Sequence, residues 1–247
     1  MHAFVGPASA PLVANGLLAA GARPMLTDAA EDAPAVTELA DALLINLGML
    51  SNVAAAAIPV CVDAASRAGR SWVLDPAAVG RPPRRTALAR ELLLARPTVL
   101  RANPSEVLVL GSDGVGGRGP DSVTGSDDPA VSAAAARLAG GHGCVVSVSG
   151  ADDLVVGPQG SCLLSAGTPR LATVSGTGCL LGALTAACAT QAAPAVAALA
   201  AALWLGLAGE RAAARSAGPG TFAPELLDAL ALLDPAELER GAPGRCR

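Results

Sequence analysis

The stretch ALLINLGMLSNVAAAAIPVCVDAASRAGRSWVLDP, residues 42–76, decides the fold. Residues 42–48 form a short apolar run, as a strand buried on both faces requires. Ser51 or Asn52 then offers a side-chain oxygen to cap a helix that runs to about Arg67. SWVLD, residues 71–75, resumes the strand pattern, and Pro76 closes it. Strand, helix and strand at this spacing make a βαβ unit, whose two strands lie parallel with a right-handed crossover.

The same alternation continues along the chain. Residues 85–96 read as a helix stopped by Pro97, and residues 98–103 as a strand. Pro104 takes a first helical position, with Glu106 close behind. Residues 130–139 are helical, 144–150 a strand, and 154–165 a hairpin. A helix starts at Cys179, Pro194 opens another, and the last runs over residues 224–233. Residues 111–128, rich in Gly, Ser and Asp, read as a flexible surface loop. The fold class is therefore α/β, a three-layer α/β/α sandwich around a mainly parallel sheet. With no strong linker, residues 1–247 read as one domain. Such sheets bind ligands beyond the carboxyl ends of their strands. Asp75, Arg101, Asn103, Glu106, Ser149 and Gly150 fall at those ends.

Composition narrows the partners. The net charge is −4 and no basic block occurs, which argues against nucleic acid, since phosphate contacts need clustered cations. There is no lysine, so every cationic side chain other than histidine is an arginine. Six cysteines form no C-x-x-C pair, and His2 and His142 are the only histidines, so neither a zinc site nor a disulfide framework is expected. Most of these thiols should be small buried residues in a reducing, cytoplasmic setting. The first residues lack the basic region of a signal peptide. Residues 180–209 carry no charge, but the run is Ala-rich and broken by Gln191 and Pro194. Two buried helices explain it better than a membrane span.

Chemistry concentrates in three turns. SGTGC, residues 175–179, leads straight into an apolar helix, so Gly176, Thr177 and Gly178 can aim free N–H groups into one anion hole. A G-x-G-x-x-x-G reading of the same stretch as a dinucleotide site fails. It lies late in the chain, and the next acid is Glu210 instead of one about 20 residues on. RANPSE, residues 101–106, pairs an arginine suited to phosphate with a carboxylate suited to a hydrated Mg²⁺. Asp75, in LDPAAVG, either joins that metal site or caps a turn.

Taken together, ANGLLAAGARP (14–24), ADALLINLGML (40–50), VLDPAAVG, RANPSE, CVVSVSGADD (144–153), VSGTGCLLGALTAA (174–187) and GPGTFAPELLDAL (218–230) resemble hydroxyethylthiazole kinases, members of the ribokinase-like superfamily. The resemblance implies ATP-dependent phosphorylation of 4-methyl-5-(2-hydroxyethyl)thiazole in thiamine salvage, with Mg²⁺ and a homotrimer whose sites lie between subunits. It further implies Arg101 and Ser149 at ATP, Leu26 and Gly176 at the substrate, and Asp75 and Glu106 near the metal. Cys179 stands where many ribokinase-like enzymes place an Asp base, as in the thiazole kinases. It is expected to orient the hydroxyl first and act as a base second, its thiol acidified by the helix N-terminus. The chain departs from the family's T-N-x-V-x-x-N-x-x-A-N pattern, with Gly6 and Pro11 in place of the first two Asn and only Asn15 kept. D-P-V-G becomes Asp75-Pro76-Ala77-Ala78. A kinase for another small alcohol, such as a hydroxymethylpyrimidine, and a noncatalytic homologue are the alternatives.

Overall fold

The computed structural model describes residues 1–112 and 125–247. Most of the expected 111–128 loop lies outside the described residues. Seven strands form one sheet: β1 (His2–Phe4), β2 (Ala42–Asn46), β3 (Ser71–Asp75), β4 (Val99–Ala102), β5 (Val145–Val148), β6 (Asp153–Gly157) and β7 (Gly160–Leu164). They lie side by side in chain order. β1 to β5 are parallel, and β6 and β7 add the expected antiparallel hairpin at the edge.

Sequential order with right-handed crossovers sends successive connecting helices to the same face of a sheet. Here that face carries α2 (Ala33–Leu39), α3 (Asn52–Arg67), α4 (Pro83–Leu94), α5 (Pro104–Leu110) and α6 (Pro129–His142). They bury Leu43, Ile45, Leu74, Leu100 and Val146 in a continuous core. The opposite face, presenting Leu44, Val73, Val99 and Val145, is covered by α1 (Ala10–Ala19), α7 (Thr177–Cys188), α8 (Pro194–Arg215) and α9 (Pro219–Leu232). The strand residues thus alternate between two cores, which is why the strands read as unbroken apolar runs. Glycines allow the close approach of α1 to α7: a Cβ on Gly16 would lie 2.4 Å from Leu180.

α8 is long and apolar enough to cross a membrane by length and composition. Its stripe of Ala198, Ala201, Leu205, Ala208 and Ala212 is spent in the core against the sheet and its helical neighbours. The break at Pro194 falls where the sequence places it.

The boundaries shift in places. α7 begins at Thr177, two residues before the expected start, because Gly176 is the N-cap, with a positive φ of 95°. α9 begins at Pro219 and carries Pro224 inside it. β1, α1 and a short α10 (Pro235–Gly241) are elements the sequence pattern did not single out. One expectation about cysteine is corrected. Cys162 and Cys246 are joined as a disulfide, with Cα atoms 5.6 Å apart. The last residues return to pair with the exposed edge of β7, bringing together two cysteines 84 residues apart. Spacing along the chain gives no hint of that return. Cys61, Cys144, Cys179 and Cys188 are free.

Candidate active site

The site is built on the carboxyl ends of β2 to β5. β2 ends on Asn46, β3 on Asp75, and β4 carries Arg101 in its last turn of pleat. Arg101 is the hub. Its Nη1 donates to Asp75 Oδ2 at 3.2 Å, and its Nη2 donates to the Ser149 hydroxyl just past β5. Asp75 is fully buried, and its second oxygen, Oδ1, has no hydrogen-bond partner among the described residues. Burial works against the Arg101 charge, but Asp75 and Glu106 outweigh it and hold the guanidinium protonated. Burial in turn pushes the Asp75 carboxyl above its ordinary range, opposed by Arg101 and Asn46.

Glu106 fastens two turns together. Oε1 accepts the Ala78 N–H and Oε2 the Asn103 N–H, each at 2.8 Å. Asn103 returns the favour by accepting the Glu106 N–H at 2.9 Å, completing a capping box on α5. Burial and the nearby Asp75 raise the Glu106 pKa. The bond to Ala78 holds the 75–80 turn against RANPSE. Ala78 itself sits at φ 62°, a left-handed conformation in a residue with a Cβ.

On the far side of Arg101 comes α7. A Cβ on Gly178 would lie 2.9 Å from both terminal guanidinium nitrogens, so only glycine lets the helix start rest on Arg101. The Thr177 hydroxyl turns back to the Leu171 carbonyl at 2.8 Å and ties the turn. The backbone N–H groups of the first turn have no acceptor within the helix. Gly176 touches Ser9 at the head of α1, since a Cβ there would meet Ser9 Cβ at 3.0 Å. The SGTGC turn therefore separates two sides: Thr177 and Gly178 face a cavity beside Arg101, and Gly176 faces α1.

That cavity, about 490 Å³, is graded in chemistry. Arg101, Ser149, Asp153 and the start of α7 make its polar end; Leu171, Leu181 and Leu205 line its apolar end. Asp153 Oδ1 accepts the Gly150 N–H at 3.0 Å. Burial pushes the Asp153 carboxyl up to about 6.

Cys179 lies next to this junction, and Asn46 Nδ2 donates to its Sγ at 3.3 Å. The expected acidification of the thiol is corrected. Burial and the neighbouring Asp75 raise its pKa, overriding the hydrogen bonds and Arg101 that pull the other way. Burial thereby favours the thiol form of Cys179 over the thiolate. The sequence reading missed Asn46, although a polar residue ending an otherwise apolar buried strand was a visible signal.

Leu26 is not brought to this cavity. It lines a separate hollow of about 430 Å³ with Met25, Val36 and Leu39. Gly6 packs on the turn after β2, and a Cβ there would lie 2.7 Å from the Gly48 carbonyl oxygen. An Asn at position 6 does not fit this backbone, so glycine here belongs to the chain's own packing and is not a simple vacancy to refill.

The fold and cavity match known proteins over almost the whole chain. The family model described as "Hydroxyethylthiazole kinase family" matches residues 2–236. The hydroxyethylthiazole kinase of Granulibacter bethesdensis is 44% identical over 230 residues, spanning 93% of this chain and 83% of that protein. The thiamine biosynthesis bifunctional protein ThiM/ThiE of Symbiobacterium thermophilum is 43% identical over 257 residues, with 98% of this chain and 53% of that protein aligned. The solved structure of the hydroxyethylthiazole kinase protein from Pyrococcus horikoshii OT3 superposes with a TM-score of 0.88 at 28% identity, over 96% of this chain and 89% of that one. A parallel sheet whose strand ends gather an arginine hub, a glycine-led helix start and a cysteine, in a sequence this similar, places the chain in the hydroxyethylthiazole kinase family.

Proposed function

We propose that the chain transfers the γ-phosphoryl group of ATP to the primary hydroxyl of 4-methyl-5-(2-hydroxyethyl)thiazole, in thiamine biosynthesis. The observation that carries the mechanism is the cavity graded from Leu171 and Leu205 to Arg101 and the start of α7. A nucleotide base fits the apolar end, and its phosphates then run toward Arg101, Ser149 and the N–H groups of Thr177 and Gly178. The acceptor alcohol belongs on the Gly176 side of the same turn, next to Cys179.

The reaction forms a bond from the alcohol oxygen to Pγ and breaks the bond from Pγ to the β–γ bridging oxygen. ADP leaves, and the alcohol proton is released. Transition states of this kind are loose, so positioning and charge neutralisation do most of the work. Arg101 and the helix start supply the neutralisation. Cys179, fixed by Asn46, orients the hydroxyl first, since burial and Asp75 favour its thiol form over the thiolate that a base would use.

Asp75 and Glu106 would hold a Mg²⁺ ion: Oδ1 of Asp75 is a hard oxygen with no hydrogen-bond partner among the described residues, and Asp75 is near enough to raise the Glu106 pKa. When bound, Mg²⁺ would screen the phosphate charge. The homotrimer is read from the family, and exposed Met25 and Leu39, which share a hollow with Leu26, offer apolar surface that a second copy would cover.

Purified protein with ATP, Mg²⁺ and the thiazole alcohol should yield ADP and the thiazole phosphate in equal amounts by mass spectrometry. Cys179→Ala should lower kcat about tenfold or more at nearly constant ATP KM. Turnover with a hydroxymethylpyrimidine instead would move the assignment to another alcohol. No turnover with either would make the chain a nucleotide-binding homologue.

A further inference from the structure

The apolar wall of the cavity includes the segment from Ala166 to Pro169 after β7. It is pressed on α8 from one side, since a Cβ on Gly206 would lie 2.7 Å from Ala166 Cβ. One turn further along α8 it is gripped by Glu210, whose Oε1 accepts the Gly167 N–H at 3.0 Å. Glu210 is held by Arg245, near the end of the described chain, in a two-pronged pair at 2.7 and 3.0 Å. The same guanidinium donates to the Ser165 carbonyl at 3.0 Å. Arg245 thus spans the segment and the helix beneath it.

The residues around Arg245 are themselves anchored. The Ser165 N–H donates to the Arg245 carbonyl at 2.9 Å, and Leu163 and Arg247 exchange N–H···O bonds at 2.8 and 3.1 Å. Cys246 is bonded to Cys162. Arg247 donates to Asp152 at 3.0 Å, next to Asp153 of the cavity's polar end. Burial alone would raise the Glu210 pKa, yet Arg245 and the Gly167 N–H overcome it and hold the carboxylate ionised below its ordinary range.

We propose that residues 244–247 form a strap that sets the position of the 165–168 segment, with Arg245 and Glu210 as positioning residues for the nucleotide. The proposal rests on reading the cavity as the ATP site. Neither residue lines the cavity. They act through the Gly167 N–H and the Ser165 carbonyl, which fix the wall against which the base end of ATP would lie. Loosening the strap widens that wall without touching Arg101, Cys179 or the Gly176 side.

The test is steady-state kinetics of Arg245→Ala and Arg245→Lys beside Arg101→Lys and the wild type, with fold checked by near-ultraviolet circular dichroism. Arg245→Ala should raise the ATP KM about tenfold, the worth of one charge-assisted contact. The thiazole KM, and kcat at saturating ATP, should stay within about twofold, on the same free-energy scale. Arg245→Lys, which keeps the charge but not the two-pronged geometry, should recover part of the loss. If Arg245→Ala does not fold, Glu210→Gln decides: it should raise the ATP KM in the same direction by less. A folded Arg245→Ala, or failing that Glu210→Gln, with an unchanged ATP KM overturns the strap. A fall in kcat with ATP KM unmoved also overturns it. If Arg101→Lys raises the ATP KM and the tail variants do not, the strap alone is wrong. If neither moves it, the ATP-site reading falls together with the strap.

Discussion

Replacing Arg101 by Ala should damage stability and nucleotide binding at once, through two separable causes. Asp75 is fully buried beneath Arg101, with Oδ1 unpartnered and Oδ2 held at 3.2 Å. Removing one partner of such a pair typically costs about 3–5 kcal/mol, because a charge is stranded. Domains of this kind are stable by only about 5–15 kcal/mol in total. Protonation of Asp75, whose pKa burial already raises, limits the loss without abolishing it. The lost phosphate contact adds about 1.5–3 kcal/mol to binding, or roughly 10- to 150-fold in ATP affinity. A purely binding role would leave the fold intact, whereas this geometry makes Arg101→Ala a destabilised protein. The assay is urea unfolding at pH 7 with titration calorimetry of a nonhydrolysable ATP analogue. Asp75→Asn in the Arg101→Ala background removes the stranded charge. It should recover most of the stability and none of the binding. If Arg101→Ala unfolds at the wild-type urea midpoint, the buried pair is not where the structure puts it. If Asp75→Asn recovers no stability, the stranded charge is not the cause. If the analogue binds Arg101→Ala as it binds wild type, the guanidinium does not face the phosphates.

Two further outcomes follow from single positions. Ala78, at φ 62°, carries a left-handed strain of about 1–2 kcal/mol that glycine relieves, partly offset by the roughly 0.5–1 kcal/mol that glycine costs in the unfolded chain. Ala78→Gly should raise the urea midpoint with the slope unchanged, and a lower midpoint would refute the strain. Asp153, raised to about 6, binds its proton more tightly folded than unfolded. Its contribution is therefore present below the ordinary carboxylate pKa and lost as pH rises through about 6. Asp153→Asn keeps an acceptor for the Gly150 N–H and should gain on wild type between pH 4 and pH 7 in unfolding free energy, a gain that an unchanged pH slope would contradict.

Much of this was legible in the residues. Apolar runs bounded by Pro and Gly placed β2 to β7, Ser51 caps the helix it announces, and Pro104 opens the next one expected. Arg101, Ser149, Thr177 and Gly178 were named from strand-end and helix-start chemistry, and they meet at one cavity. What stayed hidden depends on distant chain. β1 is only three residues long, too short for a periodic signal. The thiol of Cys179 is pushed up by burial and by Asp75, 104 residues earlier. The Cys162–Cys246 bond and the grip of Arg245 on Glu210 appear only when the chain end folds back on β7. Gly6 looked like an eroded contact from the family pattern alone, and it is instead a place where the Gly48 carbonyl leaves no room.

The strands enter the sheet in the order in which a ribosome would deliver them. Each βα unit can therefore dock on the edge left by the one before, and one face of the sheet is finished by material already synthesised when β5 emerges. The other face has no such supply. α1 is made early but packs on α7 and α9, which leave the ribosome among the last segments. Until then Leu44, Val73, Val99 and Val145 form an uncovered apolar sheet with a single early helix beside it. The nascent chain is thus half a protein with an apolar side still open to aggregation. The SGTGC turn arrives on the very segment that covers that side, so the cavity beside Arg101 is completed only at the step that ends the exposure.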